Sequence, residues 1–453
     1  MTNPDSPLNP PHRPEFSERP VSPASPAANT PAPGSERAVA QTQKRPRMVV
    51  PDVARGLALL GIAMANLPTA WVPDANDGAP GDYFGGVLDD SLWDKAAVIF
   101  EAMFVHVRGL PMFSTLLGFG VGLITMSLWR RQFPLKRTRA VLIRRYAFLA
   151  FFGILHGIFL FTGDIMTLYG ISGVIIALMV PLRDKTLHII SGIMLALCAG
   201  LGSVGSLVFF FWQPDTGSAG VDAGTGSAAD MLPADTFGQF VGENAVDVAG
   251  TILLYVIVAF PFFPLMLIGF TWARRGVLAH VEQHRRELSI WAGVLAAIVL
   301  VVGVPWGLAA LDVVPEKYGT ALFFLNMCAG PLTGPGILAV LALLLDTVQK
   351  RTERGAPLPG WLYPFAALGK RSMSGYLCQS IILFVLVYPF TLHLGHEWSA
   401  ATQMLVAFGI WLVTVILACV LEAAGKPGPF EWVHRRLSYG RTGRAQLDPK
   451  ANK

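Results

Sequence analysis

From Val49 to Leu421 the chain is a succession of long apolar runs joined by short loops. A run of ~20 apolar residues matches the ~30 Å hydrocarbon core of a bilayer. Backbone polar groups in lipid must be satisfied within the segment itself, so such runs read as helices. That one feature sets the class: an all-α, polytopic integral membrane protein with about ten transmembrane helices. Only 14% of the residues are charged, against about 25% in a typical soluble domain.

The spans are predicted near residues 49–71, 97–128, 141–162, 164–182, 187–212, 248–273, 288–311, 319–346, 363–392 and 401–422. The loops between them alternate in charge. Residues 72–96 carry six aspartates and one lysine, and residues 129–139 carry five basic groups and no acid. Residues 213–246 hold no Lys or Arg, whereas 274–287 hold Arg274, Arg275, Arg285 and Arg286. Basic loops face the cytoplasm, so the pattern predicts a multi-pass membrane protein with both termini there. The net charge of +5 reads as this topology signal, with no nucleic-acid partner. The lipid bilayer is the expected partner, and a homo-oligomer is left open.

Residues 1–46 contain eleven prolines and no apolar run. They read as a disordered cytoplasmic tail without the apolar stretch of a cleaved signal peptide. Residues 47–440 then form one helical membrane domain, and 441–453 a cytoplasmic C-terminal tail. Gly109 and Pro111 interrupt the second run beside His106 and Arg108, which predicts a kink or a broken helix. The four cysteines lie far apart in apolar runs and read as packing residues. Walker A, dinucleotide-binding, HExxH and GxSxG motifs are absent, as are clustered metal ligands, so no metal is expected.

Polar groups inside such runs are costly and ask for a reason. Asp52 and Arg55 are three apart and can pair on one helix face, and Asn66 continues that face three turns on. They read either as an ion pair fixing the helix start or as a polar stripe along a cavity. Arg145 and His156 are eleven apart, so they too share a face, roughly 16 Å apart along the axis. A phosphate held at Arg145 would leave an arm of pantetheine length reaching His156. Asp164 stands eight residues beyond His156, across a turn. It either holds the imidazole in one tautomer or caps the next helix. Arg108 must meet an acid or a ligand anion, Glu101 being one candidate. Tyr376 and Gln379, three apart, read as hydrogen-bonding groups between helices.

Several of these stretches, in order, carry a resemblance. They are DVARGLALLGIAMAN (52–66), FSTLLGFGVG (113–122), RRYAFLAFFGILHGIFLFTGDIMTLYGISG (144–173), LMLIGFTWARRG (265–276), ALGKRSMSGYLCQS (367–380) and GPFEWVHRRLSYG (428–440). The chain resembles the YeiB-like family of bacterial membrane proteins, a domain of unknown function, over nearly all of residues 50–440. It departs from the pattern at Gly375, where the family has asparagine. That family is similar in turn to transmembrane acyltransferases that carry a basic residue, ten spacers and a histidine, the spacing of Arg145 and His156.

The resemblance implies transfer of an acyl group from cytoplasmic acyl-CoA, as co-substrate, to a hydroxyl or amine on an envelope or extracellular acceptor. His156, Asp164 and Tyr169 are the expected catalytic residues. Asp52, Arg55, Asn66, Arg108, Arg145, Tyr376 and Gln379 are the expected substrate- or cofactor-binding residues. Arg108 or Tyr169 is the expected donor to the developing oxyanion. The alternative is a transporter or flippase using the same polar channel. The acyltransferase reading expects Arg55, Arg145 and His156 to open onto one shared cavity.

Overall fold

A computed structural model describes residues 47–73, 75–211, 236–315 and 317–440, together with residues 234, 442 and 445. The proline-rich stretch 1–46, much of the loop 213–246 and most of the tail 441–453 lie outside the described residues.

The described chain is helical, and among the described residues there is no strand. In order, the helices are α1 Val49–Asn66, α2 Leu92–Phe104, α3 Gly109–Arg130, α4 Leu135–Phe159, α5 Ile165–Met179, α6 Asp184–Phe211, α7 Phe237–Leu253, α8 Tyr255–Ala259 and α9 Phe263–Arg275. Then follow α10 Arg285–Ile298, α11 Val304–Ala310, α12 Lys317–Ala329, α13 Thr333–Glu353, α14 Tyr363–Gly369, α15 Ser372–Val387, α16 Ala400–Ala423 and α17 Pro429–Tyr439. Loop polar residues start several of them. Ser91, Asp164, Thr236 and Ser399 each accept from the backbone N–H three residues on. Each such cap is worth about 1 kcal/mol.

Among the described residues, seven helical segments are long and apolar enough to cross a membrane. They correspond to seven of the ten expected spans. The other three differ for local reasons. α5 and α15 have 15 and 16 residues, so each rises only about 24 Å or less. The run 248–273 is divided into α7, α8 and α9, with prolines at 261 and 264 where the chain bends. The expected break in the second run is present: α2 and α3 are separated by residues 105–108.

The core is organised around α3 and α9, which make the most extensive helix pair. Their backbones approach so closely that a Cβ on Gly118 would overlap the Met266 carbonyl, and one on Gly269 the Thr115 carbonyl. Small residues at such crossings are how helices gain packing where lipid competes for apolar contact. α4 and α5 form an antiparallel hairpin, α14 packs on α1, α6 on α12, and α10 on α13. α6 presents Ile193, Leu197, Leu201 and Val204 outward, an apolar stripe suited to lipid. α17 is short and amphipathic. It turns Phe430, His434 and Ser438, spaced by four, against α4 and α15.

Candidate active site

The hairpin α4–α5 positions the central pair. Gly153 has no side chain to keep the two helices apart, and a Cβ there would overlap the backbone nitrogen of Thr167. The start of α5 therefore sits against the last turns of α4. Asp164 divides its carboxylate between two tasks. Oδ2 caps α5, accepting from Thr167 N at 2.7 Å and Thr167 Oγ1 at 3.0 Å. Oδ1 lies 2.9 Å from Nδ1 of His156, with both side chains 2% exposed. Of the two roles open in the sequence, the cap is formed, and the second oxygen lies beside the imidazole. The contact is bent, too oblique for a well-aligned hydrogen bond. Among the described residues His156 Nε2 has no hydrogen-bond partner.

His156 lines a cavity of about 800 Å³ formed by α4, α15, α16 and α17. The wall is almost wholly apolar, with Arg371, Ser374 and Thr414 among the few polar lining residues. Leu155, Phe159, Ile381, Leu417 and Val420 on its rim are exposed. It is a groove open to the outer surface of the helices. Tyr376 tilts over the imidazole, ring centroids 5.1 Å apart. Tyr376 and Gln379 are both buried, and among the described residues Gln379 Nε2 has no hydrogen-bond partner.

A second cavity, of about 350 Å³, is polar. Arg47, Arg55, Arg145, Lys370 and Arg435 line it, against two acids, Asp52 and Glu431. Asp52 pairs with Arg55 at 3.3 Å and with Arg47 at 2.6 Å, so the expected ion pair is present and lies on a cavity as well. Arg145 donates to Tyr439 Oη at 3.3 Å, and its Nε is left without a partner. The excess of cations over acids suits an anion such as a phosphate group.

Arg55 and Arg145 share this polar cavity, but His156 opens onto the apolar groove. The single shared cavity expected from the sequence is therefore not present. Phe430 of α17 lines both, and stands in the wall between them. The spacing of eleven put Arg145 and His156 on one face of α4, as expected. It could not register a ring supplied by a helix from the far end of the chain.

Three further expectations are corrected. Arg108 does not pair with Glu101. It donates to the carbonyls of Met103, Val107 and Ala102 and to Asn326 Oδ1 at 2.9 Å. It belongs to the α2–α3 break and lines neither cavity. Tyr169 donates to the Leu110 carbonyl and meets Ser114 Oγ, so its hydroxyl is already committed. Asn66 ends α1 half-buried, where a π-turn Leu67–Trp71 begins, and the polar stripe does not continue to it along the cavity. Among the described residues no three His, Cys, Asp or Glu side chains come together as metal ligands.

α17 supplies residues the sequence did not single out. Glu431 accepts from Met373 N at 2.9 Å and Ser374 N at 3.2 Å, and pairs with Ser374 Oγ. His434 Nε2 lies 2.8 Å from the Arg145 carbonyl. Burial, then the nearby Arg145 charge, hold the His434 imidazole down to about 4. Its neutral ring donates to that carbonyl and fastens α17 over the polar cavity. The i, i+4 spacing of Phe430, His434 and Ser438 was the available signal.

Residues 272–441 match the family model described as Protein of unknown function (DUF418). The chain is 26% identical to the uncharacterized protein YxaH of Bacillus subtilis over 410 residues, 87% of this chain and 94% of that one. It is 26% identical to the uncharacterized protein YeiB of Escherichia coli over 418 residues, 88% of this chain and 98% of that one.

Proposed function

We propose that this chain, which is similar to the YeiB-like proteins of unknown function, is a membrane-embedded, acyl-CoA-dependent acyltransferase. It resides in a bacterial inner membrane and crosses it ten times, both termini cytoplasmic. The seven long helices make seven crossings, and α5, the broken α7–α9 and α15 the others.

One observation carries the reading: a buried imidazole, backed by a carboxylate at 2.9 Å and with Nε2 unpartnered, on the wall of an 800 Å³ groove. An imidazole so placed has the parts of a general base. The phosphates of acyl-CoA bind in the basic cavity at Arg55 and Arg145, and the acyl chain lies in the apolar groove. Phe430 turns aside to let the pantetheine arm pass. His156 Nε2 takes the proton of the acceptor hydroxyl or amine as that atom attacks the thioester carbonyl. The new C–O or C–N bond forms, the C–S bond breaks, and the imidazolium returns its proton to the leaving CoA thiolate. Asp164 Oδ1 holds the ring and steadies its charge.

The test is release of CoA from labelled acyl-CoA by the purified protein, supplied with an envelope extract as acceptor. Wild type releases CoA, and His156→Ala loses a factor of about 10²–10⁴. Equal release in both, or none in either, contradicts the reading. A transporter or flippase is the second reading. Two cavities that share the lining residue Phe430 support it, since a gated path has two half-compartments. Substrate movement across vesicles without CoA release distinguishes it.

A further inference from the structure

A second buried imidazole–carboxylate pair lies outside that site, at the break between α2 and α3. Residues 105–108 leave the helical path, and Val107 takes φ 55°. A β-branched residue enters the left-handed region only where its surroundings impose it. The break sets His106 Nε2 3.7 Å from Glu101 Oε2, with the two side chains 4% and 0% exposed. Among the described residues, neither Glu101 oxygen has a hydrogen-bond partner, nor has His106 Nε2, nor Asn326 Nδ2. The rings of Tyr83, Phe84 and Trp306 close over His106, with centroids 4.9, 4.9 and 5.9 Å away.

A bare carboxylate in so dry a place costs several kcal/mol. Arg108, the nearest fixed cation, does not relieve it, because its donors are spent on three carbonyls and Asn326. The elements packed on α2 offer no counter-charge either. The 3-10 turn Asp82–Phe84 brings Asp82 and Tyr83, an acid and a phenol. α11 and the π-turn Val299–Gly303 bring no titratable group. The charged groups of α1 and α16, which are Asp52, Arg55 and Glu422, lie at the opposite ends of those helices from the break. On α2 itself, Asp94 and Lys95 sit in the first turn. Asp94 accepts from Leu88 N and Ala401 N, and Lys95 pairs with Asp90.

We propose that Glu101 and His106 form a proton-binding site. One exchangeable proton is held on the carboxyl, and passes to His106 Nε2 when the glutamate side chain closes the remaining gap. An intramembrane acid and histidine facing each other are the parts from which proton relays are built. The proposal is independent of the acyl-transfer reading.

The test is infrared difference spectroscopy of the full-length protein in lipid nanodiscs, with Glu101→Gln and His106→Asn. The wild type shows a protonated-carboxyl stretch at neutral pH that shifts in D2O, fades as pH rises and is missing from Glu101→Gln. His106→Asn keeps the band but moves its midpoint by about tenfold in proton affinity or more. Adding sodium or potassium at constant pH changes nothing. Spectra of wild type and Glu101→Gln that agree at every pH overturn the proposal. So does a band that neither exchanges nor titrates, or one that sodium or potassium removes. If Glu101→Gln does not purify folded, His106→Asn decides alone, and an unmoved midpoint overturns the proposal.

Discussion

The two histidine–carboxylate pairs of this molecule use the same residue types in opposite ways. At His156 the carboxylate is in contact at 2.9 Å and is further fixed by capping α5. Its imidazole borders a cavity large enough for a ligand. At His106 the carboxylate stands 3.7 Å off, with both oxygens unpartnered, beneath an aromatic lid. The first pair has a held geometry and access, which proton transfer to a substrate requires. The second has neither, and its only small ligand is a proton. Residue identity therefore says little about what a buried pair does. The employment of the second carboxylate oxygen, and the space in front of the ring, say more.

That contrast is sharpened most by Asp164→Asn. Asparagine caps a helix about as well as aspartate, so α5 keeps its start. The charge behind His156 is gone, and acyl transfer is expected to fall about 10–100-fold with little change in thermal stability. An unchanged rate would make Asp164 a cap alone. Asp164→Ala removes both tasks, and adds a stability loss of about 1 kcal/mol, read from the shift in thermal unfolding. The two variants separate the oxygen that serves the helix from the oxygen that serves the ring.

Much of this fold was legible in the sequence, because apolar run length and loop charge are local signals. The break at Gly109–Pro111 and the cap at Asp164 were visible for the same reason. The division of 248–273 was less so: the run is apolar throughout, and only its prolines marked the bend. The site was half legible. The Asp52–Arg55 pair and the His156–Asp164 contact follow from near-neighbour spacing on helices and across one turn. The wall between the cavities does not, because Phe430 is brought to α4 by packing between helices remote in sequence. Arg108 went astray for a related reason. Its partner Asn326 comes from α12, and the loop carbonyls that occupy it exist only once the helix has broken.

The smallest expected effect concerns α17. His434 is held down to about 4 in the folded protein, below its ordinary 6.5, so the docked helix binds fewer protons than the released one. The contribution of His434 to docking is full above pH 6.5 and is lost as pH falls towards 4. Hydrogen-exchange protection along 429–439, corrected for the intrinsic rate at each pH, should fall over that interval. His434→Gln should flatten the dependence, and an equally steep profile in that variant would place the titrating group elsewhere.

The central claim is that one substrate spans both cavities, its charge held at Arg145 and its chemistry done at His156. Steady-state kinetics of Arg145→Gln and His156→Gln with the same acyl-CoA test it most directly. The account predicts that Arg145→Gln raises KM about tenfold with kcat little changed, and that His156→Gln lowers kcat by about 10²-fold or more with KM little changed. Two variants that alter the same parameter, or an Arg145→Gln enzyme indistinguishable from wild type, would contradict it.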